Sequence, residues 1–137
     1  MKVLIVEDED VLSLVLEEKF QNEGYETMIA RDGEEAQPKA GKFKPDAILL
    51  DLILPKKGGM EVLEGLKADS ELKLIPVIVL SNLETDETIK KALSLGAVDY
   101  FVKTQHPIAE IVEKVNSLFT EPKVSKSAGS QKKSKNL

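Results

Sequence analysis

Short apolar segments of this sequence end in polar residues that could do chemistry together. Glu7 and Asp8 follow the first segment, and Asp51, Ser81 and Lys103 each follow a later one. Clustered carboxylates repel one another unless a cation lies among them, and a site of oxygen ligands with room for water suits Mg²⁺. A hydroxyl and an ammonium beside that cluster would bind a phosphoryl group through a hydrogen bond and a point charge.

The same residues also have ordinary interpretations. The acidic run 7–10 is typical of a solvated helix start, where the helix dipole favours negative charge. Ser81 alone is typical of a loop, and Lys103 alone of a protein surface. Their joint position at the ends of predicted strands favours a functional site over these separate interpretations.

The elements that would position these residues are five strands alternating with five helices. The segment 47–50 is apolar without polar alternation, which is typical of a strand buried on both faces of a parallel sheet. The βα repeat predicts an α/β fold, a doubly wound, flavodoxin-like parallel sheet of order 2-1-3-4-5 flanked by five helices. This order would place Asp51 beside Glu7 and Asp8. The predicted strands lie at 2–6, 25–30, 47–50, 76–80 and 98–102.

Capping residues and apolar spacing predict the helices. Asp8 or Asp10 would cap the first helix, which would run to about residue 22, and Thr85 or Asp86 would cap the fourth. The third helix would span about 60–68, and the last would begin at Pro107. The side chains expected on buried faces are Val11, Leu12, Val15, Leu16 and Phe20 in the first helix and Ile89, Ala92 and Leu93 in the fourth.

The second helix has the least regular sequence. It would begin at Glu34, and Pro38 and Gly41 are expected to interrupt it.

Composition limits the class of protein. The 137 residues fit one domain, and the absence of cysteine excludes disulfides and thiolate metal sites. No segment is long and apolar enough for a signal peptide or a membrane span, so a soluble cytoplasmic protein is expected.

Charge separates the body of the chain from its end. Residues 1–121 hold all 24 acidic residues against 14 lysines and arginines, so direct nucleic-acid binding by the folded domain is not expected. Residues 122–137 hold five lysines and few apolar residues. We predict a domain at 1–120 followed by a disordered Lys/Ser-rich tail at 121–137.

Over residues 1 to about 120 the chain resembles the receiver domains of two-component response regulators, such as the chemotaxis regulator. The resemblance implies that a phosphoryl group passes from the phosphohistidine of a sensor histidine kinase or a phosphotransfer protein to the chain. The domain would catalyse its own phosphorylation and slow dephosphorylation, unlike a conventional enzyme. The matching residues are Glu7-Asp8, Asp51 within 51–55, Gly59, Ser81 and the segment 96–103.

The family's pattern implies a role for each matching site residue. Asp51 would be the phosphoacceptor. Asp8, Asp51 and the backbone carbonyl of Ile53 would bind Mg²⁺, or alternatively Mn²⁺, directly, while Glu7 would act through water. Lys103 would pair with the phosphoryl group.

The resemblance also implies a switch. Ser81 would turn toward the phosphoryl group and Tyr100 would move inward with it, which would reshape the face of the fourth helix, fifth strand and fifth helix for a downstream protein. A monomer or a weak, phosphorylation-dependent dimer is expected.

The chain departs from the family's pattern near the site. Thr104 stands where a cis proline is usual, so a trans peptide bond is expected after Lys103. Asn82 stands where a small residue is common. Ile53 and Leu83 would flank the phosphorylated aspartate, and because neither can orient a water by hydrogen bonding, slow dephosphorylation is predicted.

Other functions remain open at this point. A flavin-binding module would need a phosphate cradle where the acidic run 7–10 stands, and an aspartyl phosphatase would need a second acid where Ile53 stands. An unphosphorylated receiver-like adaptor, or a receiver from a longer regulator with a DNA-binding output domain, would fit the same sequence. His106 precedes Pro107 and is interpreted as a helix-entry residue, not as a phosphohistidine.

Overall fold

The computed structural model describes residues 1–120, in which five strands alternate with five helices. The strands are β1 (Lys2–Val6), β2 (Glu26–Ala30), β3 (Ala47–Leu50), β4 (Val77–Ser81) and β5 (Asp99–Val102). They form one parallel sheet in the order β2-β1-β3-β4-β5, which confirms the predicted doubly wound, flavodoxin-like topology. The tail predicted to be disordered lies outside the described residues.

Helices cover both faces of the sheet. They are α1 (Asp10–Asn22), α2 (Gly33–Phe43), α3 (Gly59–Ala68), α4 (Asp86–Ser94) and α5 (Ile108–Leu118). Successive side chains of a strand point to opposite faces, so β3 contributes Ile48 and Leu50 to the apolar cluster under α2, α3 and α4. Leu49 joins the opposite cluster, under α1 and α5. Every residue of β3 is therefore buried, as its unbroken apolar sequence predicts.

The predicted start and buried face of α1 are partly wrong. Glu9 is the N-cap residue, not Asp8 or Asp10, and its side chain makes no capping hydrogen bond. Val11 is 76% exposed because the buried stripe of α1 follows a spacing of three and four residues that includes Ser13, Leu16 and Phe20. Ser13 is tolerated in that stripe because its hydroxyl donates to the carbonyl of Asp10 at 3.0 Å.

Pro38 and Gly41 do not interrupt α2, contrary to the prediction. The helix is continuous because the missing Pro38 N–H removes only one hydrogen bond, to the carbonyl of Glu34, and Pro38 is exposed while Gly41 is half-buried. The helix start is also well capped, since the side chain of Asp32 accepts from the N–H groups of Glu34 and Glu35 at 2.9 and 2.8 Å.

Thr85 caps α4, as one of the two predicted candidates. Leu93 is exposed, contrary to the prediction, and Ala92 is the buried residue of this helix. The peptide bond before Thr104 is trans, as expected. In the part of the chain that the structure describes, no helix combines the length and apolar character needed to cross a membrane.

Candidate functional site

Strand pairing brings three carboxylates together at one edge of the sheet. Val6 of β1 lies opposite Leu50 of β3, and the two strands are parallel. The residues that follow them, Glu7 and Asp51, therefore meet beyond the ends of the strands. Glu7, Asp8 and Asp51 each offer a carboxylate oxygen, and these three atoms all lie within 4.8 Å of one another. The structure thus places these residues together, as the strand order predicts.

Lys103, which follows β5, contacts this carboxylate cluster. Its Nζ lies 2.8 Å from Asp51 Oδ2, 2.9 Å from Glu7 Oε1 and 3.0 Å from Glu9 Oε2. The Lys103 side chain is 11% exposed, whereas Glu7 is 2% and Asp51 5% exposed. Lys103 therefore lies at the wall of the site with its ammonium between three carboxylates.

Glu9 is the site residue that the sequence did not predict. In the sequence Glu9 is one member of an acidic helix start, yet its side chain pairs with Lys103, which lies 94 positions later. Its backbone N–H also donates to Glu7 Oε2 at 3.2 Å. Nothing in the residue types distinguishes Glu9 from its acidic neighbour Asp10, whose side chain pairs with Arg31 instead.

The pKa values of Glu7 and Lys103 are both raised, for different reasons. Burial raises the pKa of Glu7 to about 7, aided by the nearby charge of Asp51 and opposed by the hydrogen bond from Lys103. Burial alone would lower the pKa of Lys103, but its hydrogen bonds to Asp51, Glu7 and Glu9 raise it overall. The lysine is thus a permanent cation beside a carboxylate that ionises with difficulty.

The loop between β3 and α3 fixes the second oxygen of Asp51. The backbone N–H of Ile53 donates to Asp51 Oδ1 at 3.1 Å, while Oδ2 contacts Lys103. Gly59 closes the loop by donating its N–H to the carbonyl of Leu52 at 2.9 Å. A Cβ at position 59 would lie 2.2 Å from the carbonyl oxygen of Asp51, so only glycine fits this close approach.

A second hydrogen-bonded group lies around the C-terminal end of β4. Ser81 is fully buried, and its Oγ lies 3.4 Å from the N–H of Leu83. Tyr100 is also buried, and its hydroxyl donates to the carbonyl of Leu83 at 2.6 Å. Burial raises the pKa of Tyr100 above its ordinary value, with a smaller contribution from the charge of Asp51. Tyr100 therefore points inward in this structure.

Three further predicted residues are exposed to solvent. The side chain of Ile53 is 56% exposed, and Asn82 and Leu83 are also exposed. His106 contacts β5: its Nδ1 lies 3.1 Å from the backbone nitrogen of Val102, and its ring packs edge-on against Phe101.

The site residues fit a divalent metal ion of the kind that prefers oxygen ligands. Three carboxylates meet within 4.8 Å, and after burial the charge of Asp51 contributes to the raised pKa of Glu7. Carboxylate and carbonyl ligands suit Mg²⁺ and Mn²⁺, whereas zinc sites prefer sulfur and nitrogen. The donor set therefore agrees with the expected class of metal.

Comparisons with known proteins point to one family. A family model described as the response regulator receiver domain matches residues 3–116. The alkaline phosphatase synthesis transcriptional regulatory protein PhoP of Bacillus subtilis (strain 168) is 37% identical over 106 residues, which are 77% of this chain and 43% of that protein. The chain thus spans less than half the length of that relative.

Solved structures agree with the sequence comparison. Chemotaxis protein CheY4 of Vibrio cholerae matches with a TM-score of 0.79 and 27% identity, covering 86% of this chain and 98% of that one. The Mn²⁺-bound form of response regulator Rcp1 matches with a TM-score of 0.76 and 29% identity, covering 92% and 99%. The residues matched by the family model span nearly all of the described structure and include the strand ends that carry the carboxylate cluster. The chain belongs to the response regulator receiver domain family.

Proposed function

We propose that residues 1–120 form a receiver domain that accepts a phosphoryl group on Asp51 from the phosphohistidine of a sensor histidine kinase or a phosphotransfer protein. The observation that carries this proposal is the contact of Lys103 Nζ with Asp51 Oδ2 at 2.8 Å, beside two further carboxylates. A buried, ion-paired carboxylate at a strand end combines a nucleophile with a fixed positive charge. Family membership supports the same assignment.

In the proposed transfer, an oxygen of Asp51 attacks the phosphorus of the phosphohistidine. A P–O bond forms, the P–N bond breaks, and the imidazole leaves with the electron pair and takes up a proton. Lys103 offers a hydrogen bond and a positive charge to the phosphoryl oxygens, and the Ile53 N–H keeps the carboxylate oriented through Oδ1.

Glu7, Asp8, Asp51 and the backbone carbonyl of Ile53 would hold Mg²⁺, with Glu7 acting through water. The bound ion would supply positive charge to the transferred phosphoryl oxygens. Mn²⁺ has the same ligand preference and would serve in its place.

The proposed output depends on Ser81 and Tyr100. Ser81 is buried behind the loop that follows β4, and the Tyr100 hydroxyl holds the carbonyl of Leu83 in the same loop. A phosphoryl group that attracts the Ser81 hydroxyl would pull on this loop, and α4 begins shortly after it. The face formed by α4, β5 and α5 would carry the change to a protein partner.

A longer regulator is the second candidate context for this receiver. The 37% identical relative is a transcriptional regulatory protein, and the chain covers 43% of it. This favours a receiver joined to a DNA-binding output domain over an unphosphorylated adaptor. In either context the receiver itself would work in the cytoplasm.

The test is phosphorylation by acetyl phosphate, followed by intact mass. The parent protein should gain one phosphoryl group when Mg²⁺ is present and none when EDTA is added. Asp51→Asn should gain none, whereas Asp99→Asn should behave like the parent, because Asp99 is paired with Lys114 on the surface. Mg²⁺-dependent phosphorylation of Asp51→Asn would overturn the assignment, and an unmodified parent would support the adaptor.

A further inference from the structure

Three carboxylates surround the ammonium of Lys103, so a phosphoryl group must compete with them for its donors. Its ammonium has three N–H donors, and these face carboxylate oxygens of Asp51, Glu7 and Glu9 at 2.8, 2.9 and 3.0 Å. A phosphoryl group on Asp51 would take over the donor that Asp51 now uses, because the P–O bond removes the charge of the carboxylate. A second contact from Lys103 to the phosphoryl oxygens would require that Glu7 or Glu9 gives way. The structure indicates which of the two, because they differ in burial and in their other contacts.

Glu7 is the partner least able to leave. It is 2% exposed, its Oε2 accepts the backbone N–H of Glu9, and its carboxylate belongs to the three-membered cluster with Asp8 and Asp51. Moving it away from Lys103 without reaching water would leave a buried charge unpaired, which is strongly unfavourable. Asp51 remains in place in either state, because it would carry the phosphoryl group, is 5% exposed and also accepts the N–H of Ile53.

Glu9 is the partner that can leave at little cost. Its side chain is 58% exposed, so its carboxylate can return to water when it releases Lys103. It lies outside the three-carboxylate cluster, so binding of a cation there does not require it. An exposed ion pair contributes little to stability, which makes it easy to exchange.

We propose that Glu9 is a positioning residue that occupies the third donor of Lys103 until the phosphoryl group displaces it. Glu9 keeps the lysine directed toward Asp51 in the unphosphorylated protein and competes with the phosphoryl oxygens for the same donor. This inference rests on the proposed function of Asp51. It assigns to Glu9 a role in setting how strongly the phosphorylated state is stabilised.

The test uses beryllium fluoride, which binds an aspartate carboxylate as a phosphoryl mimic, in saturating Mg²⁺ with detection by fluorine NMR. Glu9→Gln keeps the size of the side chain but removes the competing charge. It should bind beryllium fluoride roughly two- to fivefold more tightly than the parent, the range expected for loss of one exposed ion pair. Its affinity for Mg²⁺ alone should be unchanged or lower, since a negative charge near the ion has been removed.

Asp10→Asn is the matched control. It removes the same formal charge one residue away, but Asp10 pairs with Arg31 and not with Lys103. Its affinity for beryllium fluoride should therefore change by less than about twofold. Equal tightening in both variants would show general charge repulsion and overturn the role of Glu9. Weaker binding of both Mg²⁺ and beryllium fluoride in Glu9→Gln would indicate a structural role and also overturn it.

The same experiment separates this inference from the proposed function. If the parent does not bind beryllium fluoride in Mg²⁺, or if Asp51→Asn still binds it, the proposed function of Asp51 fails and the inference fails with it. If the parent binds through Asp51 but Glu9→Gln binds no more tightly, only the role of Glu9 is wrong. A melting temperature of Glu9→Gln in EDTA close to that of the parent would show that the fold itself is intact.

Discussion

Replacing Lys103 by methionine should show how much its ammonium contributes to the stability of the fold. The change keeps an unbranched side chain but removes the one cation that, among residues 1–120, forms ion pairs with Glu7 and Asp51. Breaking a buried ion pair costs about 3 to 5 kcal/mol, because the remaining charge is left unpaired. We expect a loss near 3 kcal/mol, at the low end. Asp51 keeps the Ile53 N–H, and Glu7 can take up a proton.

The measurement is urea unfolding in EDTA, at a pH above the pKa of Glu7, with the midpoint and the slope fitted separately. Lys114→Met is the control, since Lys114 lies 3.5 Å from Asp99 and both side chains are partly exposed, so it should lose less than about 1 kcal/mol. Mg²⁺ at about 100 times its Kd stabilises a folded state by about 2.7 kcal/mol. Lys103→Met at this concentration of Mg²⁺ should therefore be nearly as stable as the parent in EDTA. Equal losses in the two variants would refute the account of Lys103 as the buried counter-charge.

Three further predictions concern Glu7, Ile53 and the start of α2. Because burial raises the pKa of Glu7 from 4.5 to about 7, the folded protein holds a proton that the unfolded chain releases between these values, so stability should fall as pH rises through this window. In EDTA, Glu7→Gln should flatten the melting temperature across that range, and a decline parallel to that of the parent would contradict the shift. Ile53→Asn should speed phosphate release from the phosphoprotein in Mg²⁺ by about tenfold, if one oriented water lowers the barrier by about 1.4 kcal/mol, and an unchanged rate would exclude water orientation at this position. Gly33→Ala would place a Cβ 1.8 Å from the carbonyl oxygen of Lys57 and should cost about 1 to 3 kcal/mol in urea unfolding. Gly41→Ala, in the same helix with no atom within 4 Å of its Cβ, should be neutral or stabilising; similar losses in both would argue against the close contact.

Local sequence patterns were enough to predict the sheet and most of the candidate site. An unbroken apolar run such as β3 can be recognised because hydrophobic burial and strand geometry act over a few neighbouring residues. Once the alternation of strands and helices is known, crossover handedness and the switch point restrict the strand order. Asp51 and Lys103 could therefore be placed at the same edge without coordinates.

Predictions of the buried face of α1 and of the continuity of α2 were less successful. The sequence pattern favoured Val11 for the buried face of α1, but Ser13 is buried there, because the exact start of the helix decides which side chains face the sheet. Pro38 was expected to interrupt α2, yet the cap at Asp32 and an exposed position for the proline keep the helix intact.

The identity of the third partner of Lys103 was decided only by the tertiary structure. Residue types alone identified an acidic run at 7–10, and all four of its members are carboxylates. Each residue in a helix turns by about 100° relative to the previous one, so neighbouring acids near the start of α1 point in different directions. Glu9 consequently faces Lys103 while Asp10 faces Arg31. That choice depends on how β1, α1 and β5 are positioned relative to one another, which is a property of the packed fold and not of any segment of sequence.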